Sequence, residues 1–216
     1  MFWFTVMYGL GTLISEAAFA GIASVMSRKK IIQLSSIMIV VGYVLFMSIG
    51  FIIPKNEVLI NMIGFLIFFA QGLFNMTMII MLNNTIEYDE VKHGERHDSI
   101  ISAVRSFATK LASAIDQGVV ALILIISGIY AISQEISALE IKAGTGALSA
   151  EAVCAEADTF IAGADALQRL ILRLGIVVVP IAAIGTAYFL IRRKYVIDEN
   201  MYEELVKKLE KKDMQG

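Results

Sequence analysis

The sequence predicts an all-α membrane protein with about five transmembrane helices. Of the 216 residues, 57% are hydrophobic, the mean hydropathy is +0.73, and the apolar residues occur in long runs rather than at alternating positions. A bilayer core requires roughly 20 mostly apolar residues per helix. Because only helices satisfy their own backbone hydrogen bonds in lipid without closing a barrel, these runs are predicted to be helical.

Five runs meet the length requirement, and each is predicted to be one span. They cover residues 2–26, 31–53, 58–82, 100–130 and 170–191. The first run is too long and too polar to be a cleaved signal peptide. We therefore predict one transmembrane helical bundle over residues 1–195. A short tail helix is predicted over residues 196–216, where acidic residues precede lysines at helical spacing.

Two connections between the spans differ from ordinary short turns. Residues 84–98 are densely charged and are predicted to form a loop between the third and fourth spans. Residues 131–167 are alanine-rich and acidic, with Gly144 and Gly146 near the middle, and are predicted to be a long segment on the outer side. Both a broken helical hairpin and a mobile solvated loop are consistent with this segment.

The distribution of Lys and Arg predicts the orientation of the chain in the membrane. Clusters of basic residues follow the first, third and fifth runs: Arg28, Lys29, Lys30, Lys92, Arg96, Arg192, Arg193 and Lys194. If the spans alternate across the bilayer, these clusters lie on one side, which the positive-inside rule makes cytoplasmic. We therefore expect a multi-pass plasma-membrane protein with its amino terminus outside and its carboxyl terminus in the cytoplasm.

Several functional classes lack support in the sequence. The single cysteine, Cys154, excludes an internal disulfide framework and a CxxC metal or redox site. His93 and His97 are four residues apart, but Gly94 between them weakens the helical geometry that a metal site would need. No constellation of nucleophile and base is visible. We predict neither an enzyme nor a cofactor, and no nucleic-acid partner.

The fourth run carries ionisable and hydroxylated residues that are rare in hydrocarbon. Lys110 lies roughly 16 Å along this helix from its start, near the bilayer midplane. Charged side chains at that depth are functional-site hypotheses, with packing against a counter-ion as the alternative. Arg105 is one turn closer to the cytoplasm and either contacts a ligand or snorkels to the interface. A polar stripe accompanies them at helical intervals: Ser102, Ser106, Thr109, Ser113, Asp116 and Gln117.

The third run carries two amides, Gln71 and Asn75, one turn apart on an otherwise apolar helix. Amides in such a helix either donate hydrogen bonds to a neighbouring helix or line a polar cavity. Because the next span also carries a polar stripe, a place at the cavity and a packing role are equally supported for these amides.

The segment from Asn84 to Asp116 resembles a known family signature. It contains E-Y-D-E-x-K-x-G-x-R, then S-I-I-S-A, then F-x-x-K-L-A-S-A. This pattern resembles the glycoside–pentoside–hexuronide cation symporters of the melibiose permease type, within the major facilitator superfamily. The SRKK turn after the first span and the closing YVIDENMYEELVKKLEKK are also similar to that family. The resemblance covers nearly the whole chain apart from residues 131–167, which it identifies as an outer insertion.

The resemblance implies part of a twelve-helix bundle that imports a sugar together with sodium or a proton by alternating access. This chain would supply helices eight to twelve, a partial major facilitator bundle. Lys110, Arg105, Ser106 and Asn75 would then lie at the sugar cavity, and Gln71 joins them by its spacing. The resemblance also assigns a cytoplasmic gating motif to Glu87, Tyr88, Glu90, Lys92 and Arg96, for which weak ion pairs in a solvated turn are the alternative.

Two positions depart from the family pattern. Asn84 stands where the family often has aspartate, and Glu87 where it usually has aspartate; the first change removes a charge from the gate. The family's cation site and much of its sugar site lie in an amino-terminal half that this sequence does not include. We therefore expect this chain to be inactive alone and to have that half, a sugar or glycoside, and the lipid bilayer as partners. The alternative is a non-transporting membrane protein that assembles with a separate amino-terminal half or acts as a binding partner.

Overall fold

The computed structural model describes residues 2–49, 52–53, 56–94, 97–146 and 148–213. These residues form eight helices: α1 (Phe2–Val25), α2 (Arg28–Ser48), α3 (Glu57–His93), α4 (Asp98–Ile126), α5 (Tyr130–Gly144), α6 (Ala150–Ala162), α7 (Ala166–Lys194) and α8 (Glu199–Asp213). Within the described ranges, α1, α2, α3, α4 and α7 are long and apolar enough to cross a bilayer. The predicted all-α membrane fold with about five spans is confirmed.

Helix α3 is longer than its apolar run. It begins after Asn56, whose side chain accepts a hydrogen bond from the Val58 N–H at 2.9 Å, and it ends at Gly94, which has a φ of 80°. The loop predicted over residues 84–98 is therefore wrong over residues 84–93, which continue the helix. Hydropathy marks where lipid contact ends, whereas the backbone stays helical until a residue such as Gly94 adopts the left-handed conformation.

The chain divides into two compact units. The first contains residues 1–106 and 180–216, and the second contains residues 107–179.

In the first unit, α3 packs against both α1 and α2. Small residues allow the close approach: a Cβ on Gly72 would overlap the Ser15 hydroxyl of α1, and a Cβ on Gly42 of α2 would meet Ile67 of α3. Lipid provides little hydrophobic driving force between helices, so such close van der Waals packing stabilises the bundle.

Gly72→Leu is expected to destabilise the first unit by about 1–3 kcal/mol, because the added side chain must displace α1 from α3. Gly21→Leu on α1 is the matched control, since a Cβ at Gly21 meets nothing within 4 Å. Denaturant-induced loss of helicity in detergent micelles measures both. Equal midpoints for the two variants would contradict the close packing at Gly72.

Helix α8 closes the first unit. The Asp198 carboxylate caps the helix by accepting a hydrogen bond from the Met201 N–H at 2.8 Å, and α8 packs against α3. Ile197 and Leu205 are buried, which ties this tail to the bundle by apolar contacts.

In the second unit, residues 131–167 contain two helices, α5 and α6, which pack against each other. Of the two sequence-based alternatives, the structure has the broken hairpin. Helix α5 ends at Gly144, and Gly146 has a φ of 75° in the turn that follows. At Gly175 of α7 a Cβ would meet Ile123 of α4, so these two helices also approach closely within the unit.

Candidate substrate residues and the Arg28 junction

Helix α4 carries most of the predicted sugar-binding residues, and all of its residues are at least partly solvent-accessible. Arg105 and Ser106 are exposed on the part of α4 that belongs to the first unit. Lys110 is exposed in the second unit. Their assignment to a sugar cavity stays a prediction.

The two amides of α3 differ in environment. The Gln71 side-chain N–H donates a hydrogen bond to the Tyr43 hydroxyl of α2 at 3.4 Å, so Gln71 contributes to the α2–α3 contact. Asn75 is exposed one turn later. The packing role therefore has direct support for Gln71, whereas a sugar contact from either amide stays a prediction.

A polar cluster joins α2, α3 and α8 at one end of the first unit. It consists of Arg28, Asn84, Glu87, Tyr195, Glu199 and Tyr202, and is called the Arg28 junction below.

The first contact in the junction caps α2. The Arg28 backbone N–H donates a hydrogen bond to the Glu199 carboxylate at 2.7 Å, while the N-cap residue Ser27 makes no side-chain cap. A carboxylate at this position satisfies an otherwise unpaired N–H and complements the positive end of the helix dipole. The tail helix thus supplies the cap that the local sequence of α2 lacks.

Asn84 lies at the centre of the junction and is buried, with 2% of its surface exposed. The amide is satisfied on both sides when its oxygen faces Arg28 and Tyr195. In this orientation the oxygen accepts from Arg28 Nη1 at 2.5 Å and from the Tyr195 hydroxyl at 3.2 Å, and the nitrogen donates to the Ile80 carbonyl at 3.1 Å. The neutral Asn84 amide therefore still accepts a hydrogen bond from the Arg28 guanidinium, at the position where the family often has aspartate.

Tyr202 completes the junction from α8. The Arg28 guanidinium lies 4.5 Å from the centre of its ring, a cation–π distance. The Tyr202 hydroxyl and the Glu87 carboxylate form a hydrogen bond that, after burial, contributes to raising the pKa of Tyr202. Burial likewise raises the pKa of Tyr195. Both hydroxyls stay protonated at neutral pH and can donate hydrogen bonds.

These raised pKa values predict how the junction responds to alkali. Because the folded-state values lie above those of unfolded tyrosine, the stabilisation is fully present below about pH 10 and is lost as pH rises through the folded values. Tyrosinate absorbance should show a late-titrating component that both Tyr195→Phe and Tyr202→Phe reduce. A titration without any late component would contradict the buried hydrogen bonds.

Four of the five predicted gating residues, Glu87, Tyr88, Glu90 and Lys92, lie on the last turns of α3. Glu87 is half-buried and contacts Tyr202, and its Oε2 atom is buried without a hydrogen-bond partner among the described residues. The Lys92 ammonium lies 5.7 Å from the centre of the Tyr88 ring, one helical turn away. The backbone carbonyl of Glu90 accepts a hydrogen bond from the Gly94 N–H. Arg96 lies outside the described residues, and the gating role of all five stays a prediction.

The two histidines contact a carboxylate on the same segment. His93 Nδ1 and His97 Nδ1 lie 2.7 Å and 2.8 Å from the two oxygens of Asp89. The His93 contact lies within α3, whereas the His97 contact links the end of α3 to the residue directly before α4.

Sequence reasoning did not place Arg28, Tyr195, Glu199 or Tyr202 in any site. Arg28 and Glu199 are 171 positions apart, and Asn84 and Tyr195 are 111 apart. Propensity and periodicity carry no signal at such separations. The one usable signal was that the SRKK turn and the YVIDENMY segment both resemble the same family. That resemblance did not indicate that the two segments contact each other.

Residues 1–199 match the model of a protein family described as MFS/sugar transport protein. The chain belongs to this family. The match covers all five long apolar helices and the Arg28 junction up to Glu199, and it confirms the family-level resemblance inferred from the motif around Asn84. Members of this family are transport proteins rather than enzymes.

Two curated relatives are similar to part of the chain. One is a lactose permease from Leuconostoc lactis, 28% identical over an alignment of 121 residues that covers 54% of this chain and 18% of that protein. The other is a raffinose carrier protein from Pediococcus pentosaceus, 28% identical over 116 residues, again 54% of this chain and 18% of the relative. The aligned part of the chain thus spans about a fifth of the length of each relative.

Proposed function

We propose that this chain forms part of a sugar:cation symporter that works by alternating access. The observation that carries the proposal is the family match over residues 1–199. The names of the two relatives, a lactose permease and a raffinose carrier, support an oligosaccharide as the substrate class. The coupling ion in the proposal is sodium or a proton, bound by an amino-terminal half of the same fold.

In this proposal the polar face of α4 faces the sugar. Hydroxyl groups are recognised by hydrogen bonds, and the Lys110 ammonium, the Arg105 guanidinium and the Ser106 hydroxyl are suitable donors. Gln71 and Asn75 add amide groups that can both donate and accept. Polar side chains on a span otherwise suited to lipid support a water-filled or ligand-filled surface there.

The Arg28 junction is proposed to act as the inner gate, on the cytoplasmic side predicted by the basic residues. It connects the start of α2 to the end of α3 and to the tail helix through charge-assisted contacts. Contacts of this kind hold one arrangement of the helices and must separate in the other. Glu87, Tyr88, Glu90 and Lys92 extend the gate along the end of α3, and Arg96 joins this proposal through the family motif alone.

Transport in this proposal requires both halves of the fold. The test is uptake of radiolabelled lactose and raffinose into proteoliposomes containing either this chain alone or this chain together with the amino-terminal half of its family. We expect uptake only with both halves and only with a sodium or proton gradient. Uptake by this chain alone would contradict the requirement for a second half. Stable assembly of the halves without any sugar uptake would instead favour the non-transporting binding partner.

A further inference from the structure

A cavity between the start of α2 and the end of α7 has no role in the proposed transport cycle. It measures about 190 Å³ and is lined by Lys29, Lys30 and Gln33 from α2 and by Tyr188 and Arg192 from α7. Both helix segments belong to the first unit. The cavity lies at the predicted cytoplasmic end of these helices. Lys29 and Lys30 directly follow Arg28 in the sequence, but neither belongs to the Arg28 junction.

The charge of this cavity favours an anion. Lys29, Lys30 and Arg192 bring three cations to its wall, and the described residues that line it include no aspartate or glutamate. The Arg192 guanidinium approaches the Tyr188 hydroxyl at 3.5 Å, which positions it on the cavity side of α7. By contrast, the neighbouring Arg193 lies 4.4 Å from the centre of the Phe189 ring on its own helix.

An apolar groove of about 380 Å³ continues from the cavity along the same two helices. The two spaces share Gln33 and Tyr188, and the groove then follows Ile37 and Val41 of α2 opposite Ile184 and Gly185 of α7. At 1.5 Å per residue, the distance along α2 from Lys29 to Val41 is about 18 Å. That length is close to the roughly 15 Å hydrocarbon depth of one leaflet.

A buried hydroxyl lies between the charged cavity and the apolar groove. Ser36 lines the groove, is 7% exposed, and its Oγ atom has no hydrogen-bond partner among the described residues. An unpaired polar group at such a position is costly unless a ligand satisfies it. It lies two turns above Lys29 on α2, at the depth at which the glycerol esters of a lipid follow its phosphate.

We propose that this cavity and groove form a binding site for one anionic phospholipid. The phosphate contacts Lys29, Lys30 and Arg192, and one acyl chain occupies the groove. The Ser36 Oγ atom is itself buried, so its hydroxyl donates a hydrogen bond to an ester oxygen only after the side chain rotates toward the groove. Basic pockets between membrane helices on the cytoplasmic side recognise anionic headgroups in this way. A free anion would occupy the cavity but would leave the apolar groove empty and Ser36 without a partner. A phospholipid would occupy both the cavity and the groove. The proposal does not depend on the transport function.

The test is native mass spectrometry of the full chain in detergent with phosphatidylglycerol or phosphatidylcholine of identical acyl chains. We expect phosphatidylglycerol to bind at least tenfold more tightly. The triple variant Lys29→Gln, Lys30→Gln, Arg192→Gln should lose that preference. A matched variant, Lys194→Gln, Lys207→Gln, Lys208→Gln, removes the same charge from exposed positions outside the cavity and should keep it.

Two further measurements distinguish the lipid from other occupants. Gly185→Phe places a ring in the groove without changing charge, at a position where a Cβ meets nothing within 4 Å. We expect at least a threefold loss of phosphatidylglycerol affinity, with helicity measured in parallel. Inorganic phosphate at matched ionic strength should not displace the lipid. Equal affinity for the two lipids, equal losses in the two triple variants, or displacement by phosphate would each overturn the proposal. So would a groove occupied by a second copy of the chain in place of lipid.

Discussion

Lys110→Ala is expected to reduce sugar uptake by the assembled transporter roughly 10- to 100-fold. The ammonium group is proposed to donate charge-assisted hydrogen bonds to sugar hydroxyls near the bilayer midplane, and each such bond contributes about 1.5–3 kcal/mol. A loss of that size corresponds to the stated change in affinity or rate. Uptake of labelled lactose and raffinose into proteoliposomes, with the amount of inserted protein measured in parallel, gives the result.

The control for this experiment is Lys142→Ala, which removes an exposed lysine from α5 in the same unit. It should leave uptake unchanged. Removing a lysine from an apolar span also makes membrane insertion easier rather than harder, so poor insertion cannot account for a loss at Lys110. Unchanged uptake in Lys110→Ala would refute the assigned role, and the polar stripe on α4 would then need another explanation, such as helix packing.

Arg28→Ala is expected to release the tail helix from the bundle. The change removes the guanidinium from both Asn84 and the Tyr202 ring. Together these contacts are worth about 2 kcal/mol, a cation–π contact contributing the smaller part, which raises the detached fraction of α8 roughly thirtyfold. Limited proteolysis at the 195–198 connection measures this fraction.

Arg193→Ala is the matched control, because that guanidinium contacts Phe189 on its own helix. The same loss of charge should leave α8 attached. Equal cleavage in Arg28→Ala and Arg193→Ala would contradict the junction as the anchor of the tail.

The substitution Asn84→Asp provides a test in the opposite direction. It restores the carboxylate that the family often has at this position, directly against Arg28. We expect tighter attachment of α8 and, if the junction is the inner gate, slower turnover, because the ion pair must separate in each cycle. Faster turnover or looser attachment would contradict the gating role while leaving the sugar site unaffected.

How much the sequence could predict differs from one element to another. The long apolar runs predicted the membrane class correctly because backbone satisfaction in lipid leaves few alternatives. Hydropathy nevertheless misplaced the end of α3, since charged residues after Asn84 signal the end of lipid contact and not of the helix. Similarly, composition did not separate a solvated loop from the α5–α6 hairpin, because an alanine-rich acidic stretch suits both.

The candidate site shows the same division. The polar stripe on α4 and the two amides on α3 could be recognised from spacing alone, because helical periodicity places such residues on one face. What the spacing left open was the partner of each side chain. The structure resolves this for Gln71, whose contact with Tyr43 is a packing contact, and for Asn84, whose neutral amide still meets Arg28.

By itself, the sequence determined that this protein is a helical membrane protein of a sugar-transport family. Composition, the length of apolar runs and local motifs suffice for this, because each depends only on residues close together in the chain and on whether they prefer lipid or water. Tertiary structure decided that Glu199 caps α2, that Arg28 lies between Asn84 and Tyr202, and that Lys29, Lys30 and Arg192 line one cavity. All of these contacts join different helices, and most join positions more than a hundred residues apart. They arise when packed helices bring their ends together, and no local preference of the chain records which ends will meet.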